Sequence, residues 1–157
     1  MTKKSAGILW YRIKNDILQV FLVHPGGPFW RNKDVGTWSI PKGEFEESED
    51  PLQAAKREMH EETGIDADSP GLQTSPFVQL HPVRQKSGKI VYAWAAQADF
   101  NASELKSNTF QIEWPPKSGK KADFPEVDKG GWLTIADAKK RILPYQLPLI
   151  IQLEEMV

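Results

Sequence analysis

The sequence predicts one domain of the mixed α/β or α+β class, and three observations lead to that prediction. Segments typical of strands interleave with segments that have the periodicity of helices. The 157 residues suffice for one hydrophobic core, and a hydrophobic content of 39% with a charged content of 26% is typical of globular proteins. Because no internal repeat or long linker divides the chain, we expect a single domain over residues 1–157.

The first fifty residues are expected to contain a β-hairpin, a loop and a short extended piece. Strand-forming residues alternate there with the Gly, Pro, Asn and Asp residues that are typical of turns. In order, the expected elements are a strand over 6–13, a turn at 15–16, a strand over 18–24, a loop over 25–35, an extended piece over 38–40 that stops at Pro41, and an acidic loop over 43–49.

An amphipathic helix is expected from Pro51 to about Thr63. Asp50 suits the N-cap, proline is favoured at the first helical position, and Gly64 suits the C-terminal stop. The apolar side chains that recur at helical spacing and should pack on a sheet are Leu52, Ala55 and Met59.

The remainder of the chain is expected to return to strands and to end in helices. The expected elements are strands over 77–84, 89–100 and 109–114, a basic loop over 115–125, an extended piece over 127–133, a helix over 135–142 and a second helix after Pro144 or Pro148.

Composition excludes several classes of protein. With 20 basic and 21 acidic side chains the net charge is -1, which argues against a dedicated binder of duplex nucleic acid. The absence of cysteine excludes disulfides, thiol catalysis and cysteine-zinc sites. No secretory signal is visible, and no apolar run approaches the ~18 residues of a membrane helix. We therefore expect a cytoplasmic protein that does not enter membranes.

Three carboxylates are clustered on one flank of the predicted helix. At ~100° per residue, Glu58, Glu61 and Glu62 fall within an arc of roughly 100° beside the apolar stripe. Like charges at this spacing repel each other, and a divalent cation such as Mg²⁺ would reverse that effect because it prefers carboxylate oxygens. Taken alone, the cluster is equally compatible with a solvated acidic face.

The surrounding residues extend this cluster into a longer motif. Gly43, Glu49, Arg57–Glu62, Gly64 and Ile65 follow the spacing glycine, glutamate, then Arg-Glu-apolar-x-Glu-Glu-x-Gly-apolar. The segment resembles the Nudix box, with every defined position matched. The resemblance implies an α/β/α sandwich with a mixed sheet, and hydrolysis of a phosphoanhydride in a nucleoside diphosphate linked to another group.

The same resemblance implies roles for individual residues. Glu58, Glu61 and Glu62 resemble the carboxylates that bind Mg²⁺ or Mn²⁺ in the family, and Glu58 also matches its common general base. Arg57 and Glu49 match a pair that holds the loop against the helix, for which a bidentate contact is well suited.

Gly43 is expected to permit a close backbone approach, because glycine has no Cβ atom. The resemblance then makes the carbonyl group of Lys42 a further metal ligand.

Two stretches outside the box resemble the diadenosine tetraphosphate hydrolase branch of the family. They are Trp38–Gly43, with the pattern Trp-x-x-Pro-Lys-Gly, and Lys89–Trp94, with the pattern Lys-x-Val-x-x-Trp. A dinucleoside polyphosphate is therefore the favoured small-molecule substrate. Three alternatives stay open: a MutT-like nucleoside triphosphate pyrophosphohydrolase, an RNA 5′-end pyrophosphohydrolase, and a non-catalytic nucleotide sensor.

Glu126 is a candidate for a further metal ligand on the opposite side of the cleft. It precedes Trp132 by six residues and follows a proline-rich loop, as the family pattern suggests for an additional glutamate. An ordinary surface glutamate is the alternative interpretation. Glu104 and Glu113 are competing candidates, although neither matches the family spacing.

Candidate substrate-binding residues are basic or aromatic. The expected set is Lys42, Lys89, Tyr92 and Arg84, with further loop lysines at 86, 117, 120 and 121. Trp30 and Phe110 are further candidates for stacking on a base, and their segments, 25–30 and 110–125, are candidates for substrate selection. His24 and His81 flank prolines at strand ends and are expected to be surface or turn residues; His60 is assigned no role.

Overall fold

The structure is a computed structural model and describes residues 2–157. Its strands are β1 (Lys4–Lys14), β2 (Ile17–Pro25), β3 (Lys42–Glu44), β4 (Val78–Gln79), β5 (Val83–Arg84), β6 (Ile90–Gln97), β7 (Thr109–Glu113), β8 (Lys121–Pro125) and β9 (Val127–Thr134). The helices are α1 (Pro51–Thr63), α2 (Ile135–Arg141) and α3 (Leu147–Met156), with short 3₁₀ helices over Ala102–Glu104 and Pro144–Gln146.

Seven strands form one mixed sheet. Its main path runs β4-β6-β1-β2-β9, while β5 pairs with β6 and β3 pairs with β1. The β1–β6 pair is parallel, and the other pairs in this sheet are antiparallel. β7 and β8 form a separate two-stranded sheet. The prediction of a mixed sheet is confirmed.

The central strand β1 sends alternate side chains into two cores, as the period of a strand requires. Ile8 and Trp10 lie on the face that packs against α1, and the Trp10 indole donates to the sulfur of Met59 at 3.3 Å. Leu9 lies on the other face, in a core that includes Leu149 and other buried residues of α3. The sheet is therefore packed between helices, which confirms the predicted α/β/α arrangement.

The turn between β1 and β2 occurs where the sequence predicts it. Asn15 and Asp16 both have positive φ angles, 53° and 64°. Such angles at both central residues are typical of the tight hairpin turn whose twist matches that of the flanking strands.

Two boundaries near Pro41 and Pro82 differ from the predictions. The strand of this region, β3, lies after Pro41, because the chain stays extended and pairs with the free edge of β1 at Ser5–Gly7. The acidic loop therefore begins later than expected. The strand expected over 77–84 is divided into β4 and β5, since Pro82 between them has no N–H group for a ladder hydrogen bond.

The prediction of a loop over residues 115–125 was wrong for its second half. Lys121–Pro125 forms β8 and pairs in register with β7, from Glu113 opposite Lys121 to Thr109 opposite Pro125. The alternation of exposed and partly buried residues in this strand is difficult to recognise in the sequence. Its exposed members, Lys121 and Asp123, are charged, and its other face is only partly buried.

Within residues 2–157, no helix has both the length and the apolar character needed to cross a membrane.

Candidate active site

The helix α1 begins and ends with specific caps. The Asp50 carboxylate accepts the N–H of Gln53 at 3.1 Å, and Pro51 occupies the first turn. At the other end Gly64 has a φ of 77°, and its N–H donates to the carbonyl of His60 at 2.7 Å. Only glycine adopts this conformation without strain. These caps set the length of the helix that carries the three box carboxylates.

Arg57 connects the helix to the loop that precedes it. Its Nε and Nη2 atoms donate to the two carboxylate oxygens of Glu49 at 3.1 and 3.2 Å, which is a bidentate contact. Its Nη1 atom donates to Glu58 at 2.8 Å and to Glu61 at 3.3 Å. Hydrogen bonding from Arg57 lowers the pKa of Glu49. One guanidinium group therefore positions three carboxylates.

Glycine is required at position 43 because β3 passes directly over a carboxylate of α1. A Cβ atom at Gly43 would collide with the carboxyl carbon and both oxygens of Glu58. Next to it, the backbone N–H of Lys42 donates to Glu62 at 3.2 Å. The close approach predicted for Gly43 thus brings the backbone of β3 onto two of the box carboxylates.

Mutual proximity and partial burial make these carboxylates reluctant to ionise. Burial, and then the negative charges of Glu58 and Glu126, raise the pKa of Glu62 to about 8, although the Lys42 N–H opposes this shift. Burial and the neighbouring Glu61 raise the pKa of Glu58 against the effect of Arg57. Partial desolvation and the charge of Glu61 also raise the pKa of Glu126, although that side chain remains exposed.

The donor set fits a hard divalent cation. Four carboxylates whose charges oppose one another offer the oxygen ligands that Mg²⁺ and Mn²⁺ prefer. Within residues 2–157 no three acidic or histidine side chains are already converged as a metal cluster. Glu58 and Glu61 instead bind the positive charge of Arg57.

A cavity of about 370 Å³ opens beside these groups. Its lining combines charged, polar and apolar side chains, which is the usual make-up of a small-molecule site. The lining residues are Val23, Pro25, Trp30, Thr37, Ser39, Lys42, Glu62, Gln85, Glu126, Val127 and Leu143.

Glu126 also lines this cavity and comes from a segment far from α1 in sequence. It connects β8 to β9, where its N–H donates to the carbonyl of Asn108 at 2.8 Å and its carbonyl accepts the N–H of Gly26 at 2.9 Å. The competing glutamates do not line the cavity. Glu104 is exposed in a 3₁₀ helix, and Glu113 accepts a backbone N–H within the β7–β8 hairpin.

Three expected substrate-binding residues lie outside this cavity. Arg84 and Lys89 line a separate surface depression, and Lys89 forms an ion pair with Glu44 at 3.3 Å. Tyr92 packs edge-on against Phe45 with ring centroids 6.2 Å apart. Of the four expected residues, the structure places only Lys42 beside the carboxylates.

The expectation that His24 is a surface or turn residue was wrong. It is fully buried, with Nδ1 2.8 Å from a carboxylate oxygen of Asp128 and Nε2 in hydrogen-bond contact with the carbonyl of Lys33. It is buried because β2 continues past it and Trp38 packs edge-on at 5.4 Å. His81, by contrast, is exposed as expected.

Sequence reasoning missed most of the polar and apolar lining of the cavity. Thr37, Gln85 and Leu143 belong to no motif, and Ser39 occupies an undefined position of the Trp38–Gly43 stretch. These residues share no sequence signal that could have identified them.

Comparisons with known proteins extend this picture. A NUDIX domain family model matches residues 1–152. The chain is 30% identical over 155 residues to an RNA pyrophosphohydrolase of Brucella ovis, which covers 93% of this chain and 77% of that protein. It is 29% identical over 106 residues to Nudix hydrolase 7 of Arabidopsis thaliana, which covers 66% of this chain and 36% of that protein.

Structural similarity agrees with the sequence relationship. A C. elegans Ap4A hydrolase superimposes with a TM-score of 0.68 at 22% identity, covering 97% of this chain and 96% of that chain, which shows a shared fold. The chain spans between 36% and 63% of the length of several curated relatives that it matches. Because the family model covers nearly the whole chain, the protein belongs to the Nudix family.

Proposed function

We propose that this protein hydrolyses a phosphoanhydride bond in a nucleotide with Mg²⁺ or Mn²⁺ as cofactor, and that its favoured substrate is a dinucleoside polyphosphate such as diadenosine tetraphosphate. The observation that carries this proposal is the meeting of Glu62 from α1, Glu126 from the β8–β9 connection and Lys42 from β3 on one cavity. Glu62, Glu126 and the positively charged Lys42 line a cavity that suits a polyphosphate.

The proposed metal ligands are Glu58, Glu61, Glu62 and Glu126, with the carbonyl group of Lys42. When bound, a divalent cation would neutralise charge on the bridging phosphates and supply Lewis acidity. The pKa values of Glu58, Glu62 and Glu126 are raised by burial and then by mutual repulsion, and they support this assignment because a bound cation would favour the ionised form against both effects.

Glu58 is the proposed general base. A carboxylate accepts a proton from water more readily when its pKa is raised toward neutrality, and burial has this effect on Glu58. Gly43 lies against its carboxyl group, and Arg57 donates to one of its oxygens at 2.8 Å. These two neighbours fix its orientation, as a base in an in-line attack requires.

Lys42 is proposed to hold the phosphates. Lys42 lines the cavity that Glu62 and Glu126 also line, and its positive charge acts on Glu62, so its ammonium group can balance the charge of an incoming polyphosphate. The Trp38–Gly43 lead-in and the shared fold with the C. elegans Ap4A hydrolase support a dinucleoside polyphosphate as that substrate.

An RNA 5′ end is the second candidate substrate. The 30% identity with an RNA pyrophosphohydrolase over 155 residues favours it. The net charge of -1 counts against it, because binding of an RNA chain usually relies on a basic surface.

A substrate panel tests this proposal. We would compare kcat/KM for diadenosine tetraphosphate, nucleoside triphosphates and a 5′-triphosphorylated RNA, each with Mg²⁺. We expect the highest value for diadenosine tetraphosphate. A higher value for nucleoside triphosphates would instead support a MutT-like activity, and a higher value for the RNA would support the second candidate.

A further inference from the structure

The cavity that Glu62 and Glu126 line also has an aromatic wall. Trp30, in the loop after β2, lines this cavity, and the residue as a whole is 39% exposed. A large indole that stays partly open beside charged groups provides an apolar surface within a polar site. The proposed roles of the carboxylate cluster and of Arg57 do not require an aromatic ring at this position.

Lys33 and His24 hold the loop that carries Trp30 in place. The ammonium group of Lys33 lies 5.3 Å from the centroid of the Trp30 ring, and its backbone N–H donates to the carbonyl of Trp30 at 3.0 Å. The carbonyl of Lys33 is in turn bound by the buried His24, which also contacts Asp128. The indole is therefore positioned by a network that extends into the main sheet.

The β7–β8 hairpin supports the same loop from the side. The rings of Phe29 and Trp114 pack edge-on with centroids 5.5 Å apart. The Phe110 ring lies so close to Gly27 that a Cβ atom there would come within 3.0 Å of it. The hairpin, which has no strand pairing to the main sheet, thus packs against the loop next to Trp30.

We propose that Trp30 is the platform on which one nucleobase of the substrate stacks, so that it selects substrates that carry a base. This inference rests on the proposed function for its substrate class. A planar base stacks on an indole whichever base it is, so this surface can accept any nucleobase.

The size of the cavity limits what it holds. At about 370 Å³ it lies near the lower end of the roughly 300–1,000 Å³ range of small-molecule sites. We therefore expect it to hold one nucleoside with its first phosphates and to leave the remainder of a dinucleoside polyphosphate outside. Glu62, Glu126 and Trp30 line one cavity, so a base on the indole leaves its phosphates beside Lys42 and Glu62.

Calorimetry with two probes that cannot be hydrolysed tests this inference. The probes are AMP, which carries a base, and methylenediphosphonate, which carries a phosphate pair without one, each titrated in Mg²⁺. We expect Trp30→Ala to weaken AMP binding by about 5- to 150-fold, the range for loss of one stacked base. Binding of methylenediphosphonate should not change.

Two further variants keep the test decisive. Val35→Ala removes an exposed apolar side chain, 76% exposed, from the same loop and should leave both affinities unchanged. Trp30→Phe retains a ring, so it should preserve AMP affinity within about threefold, since stacking needs only an aromatic face. It should also remove the part of the AMP-induced tryptophan fluorescence change that comes from position 30.

The possible results separate this inference from the proposed function. Equal AMP affinity in wild type and Trp30→Ala, or no AMP binding by the wild type at millimolar concentration, would overturn the platform even if nucleotides are hydrolysed. Trp30-dependent AMP binding without hydrolysis of any nucleotide would support the platform and contradict the hydrolase. If Trp30→Ala fails to fold, an unchanged fluorescence response in Trp30→Phe overturns the platform.

Discussion

The two walls of the cavity are built in different ways. On one wall lies Glu62 of the box from Gly43 to Ile65, whose carboxylates are brought together through contacts within a short stretch of chain, with Arg57 at the centre. On the other wall, the Trp30 loop depends on partners far away in sequence, such as Asp128 and Trp114. The polar wall carries the proposed chemistry, and the aromatic wall carries the proposed selection of substrate.

This difference predicts that the two walls respond differently to mutation. Changes in the box should act on kcat and on the dependence on metal. Changes in the loop should act on the binding of the base, because no loop residue contacts the proposed general base in the described structure.

The largest effect is expected from the box carboxylates. Glu61→Gln or Glu62→Gln should lower kcat by orders of magnitude with the fold intact, because each change removes a charged oxygen ligand. Activity should also vanish in EDTA and return with Mg²⁺ or Mn²⁺. Steady-state rates and thermal melting measure these outcomes. Glu104→Gln, an exposed carboxylate away from the cavity, is the matched control.

If the double variant Glu61→Gln/Glu62→Gln hydrolysed nucleotides at the wild-type rate without metal, the polar wall would not carry the chemistry.

Glu126→Gln should have the next largest effect. We expect kcat to fall by about tenfold to a hundredfold, the range for perturbing the environment of a metal. The Mg²⁺ concentration for half-maximal rate should rise, while the melting temperature changes little because the side chain is exposed. Glu113→Gln serves as a control. A wild-type kcat with an unchanged metal titration would remove Glu126 from the site.

Arg57→Ala should lower both stability and rate. Loss of the bidentate contact frees the loop at Glu49 and misplaces Glu58, and a displacement of about 1 Å can reduce a rate by about a hundredfold. The melting temperature should fall by a few degrees, a modest change because the guanidinium is 38% exposed. Arg57→Lys keeps the charge without the fork and should recover only part of each loss.

An unchanged melting temperature together with lost activity in Arg57→Ala would assign this side chain a direct catalytic role.

A separate effect, on stability and not on rate, is a pH dependence without metal. The pKa of Glu62 is raised from 4.5 to about 8, so the folded state retains a proton that the unfolded state releases. The melting temperature in EDTA should therefore decline as the pH rises from about 4.5 to about 8, and then level off. Glu62→Gln should flatten this decline, and Mg²⁺ should oppose it. An identical decline in Glu62→Gln would exclude Glu62 as its source.

Local constraints explain which features were predictable from sequence. The caps of α1 at Asp50 and Gly64 were predicted because each depends on residues within one helical turn. The Nudix box was recognised for the same reason, since its defined positions follow one another along a loop and a helix. The role of Glu126 stays a prediction, although the structure brings it to the same cavity as Glu62.

Features that depend on distant contacts were not predictable. The burial of His24 depends on Asp128, which lies 104 residues away in sequence. β8 was predicted as a loop because its composition is rich in charge. Its pairing with β7, which outweighs that composition, is not visible in the sequence. No pattern in the sequence indicates that Gln85 and Leu143 line the cavity with Trp30.

The most direct test of the central claim is hydrolysis of diadenosine tetraphosphate in oxygen-18 water, followed by mass analysis of the products. With Mg²⁺ we expect turnover that places one oxygen-18 atom in one of the two products of each cleavage, and we expect EDTA or Glu61→Gln to abolish it. Absence of oxygen-18 from the products of every nucleotide, with either Mg²⁺ or Mn²⁺, would contradict the hydrolase and leave a nucleotide-binding protein.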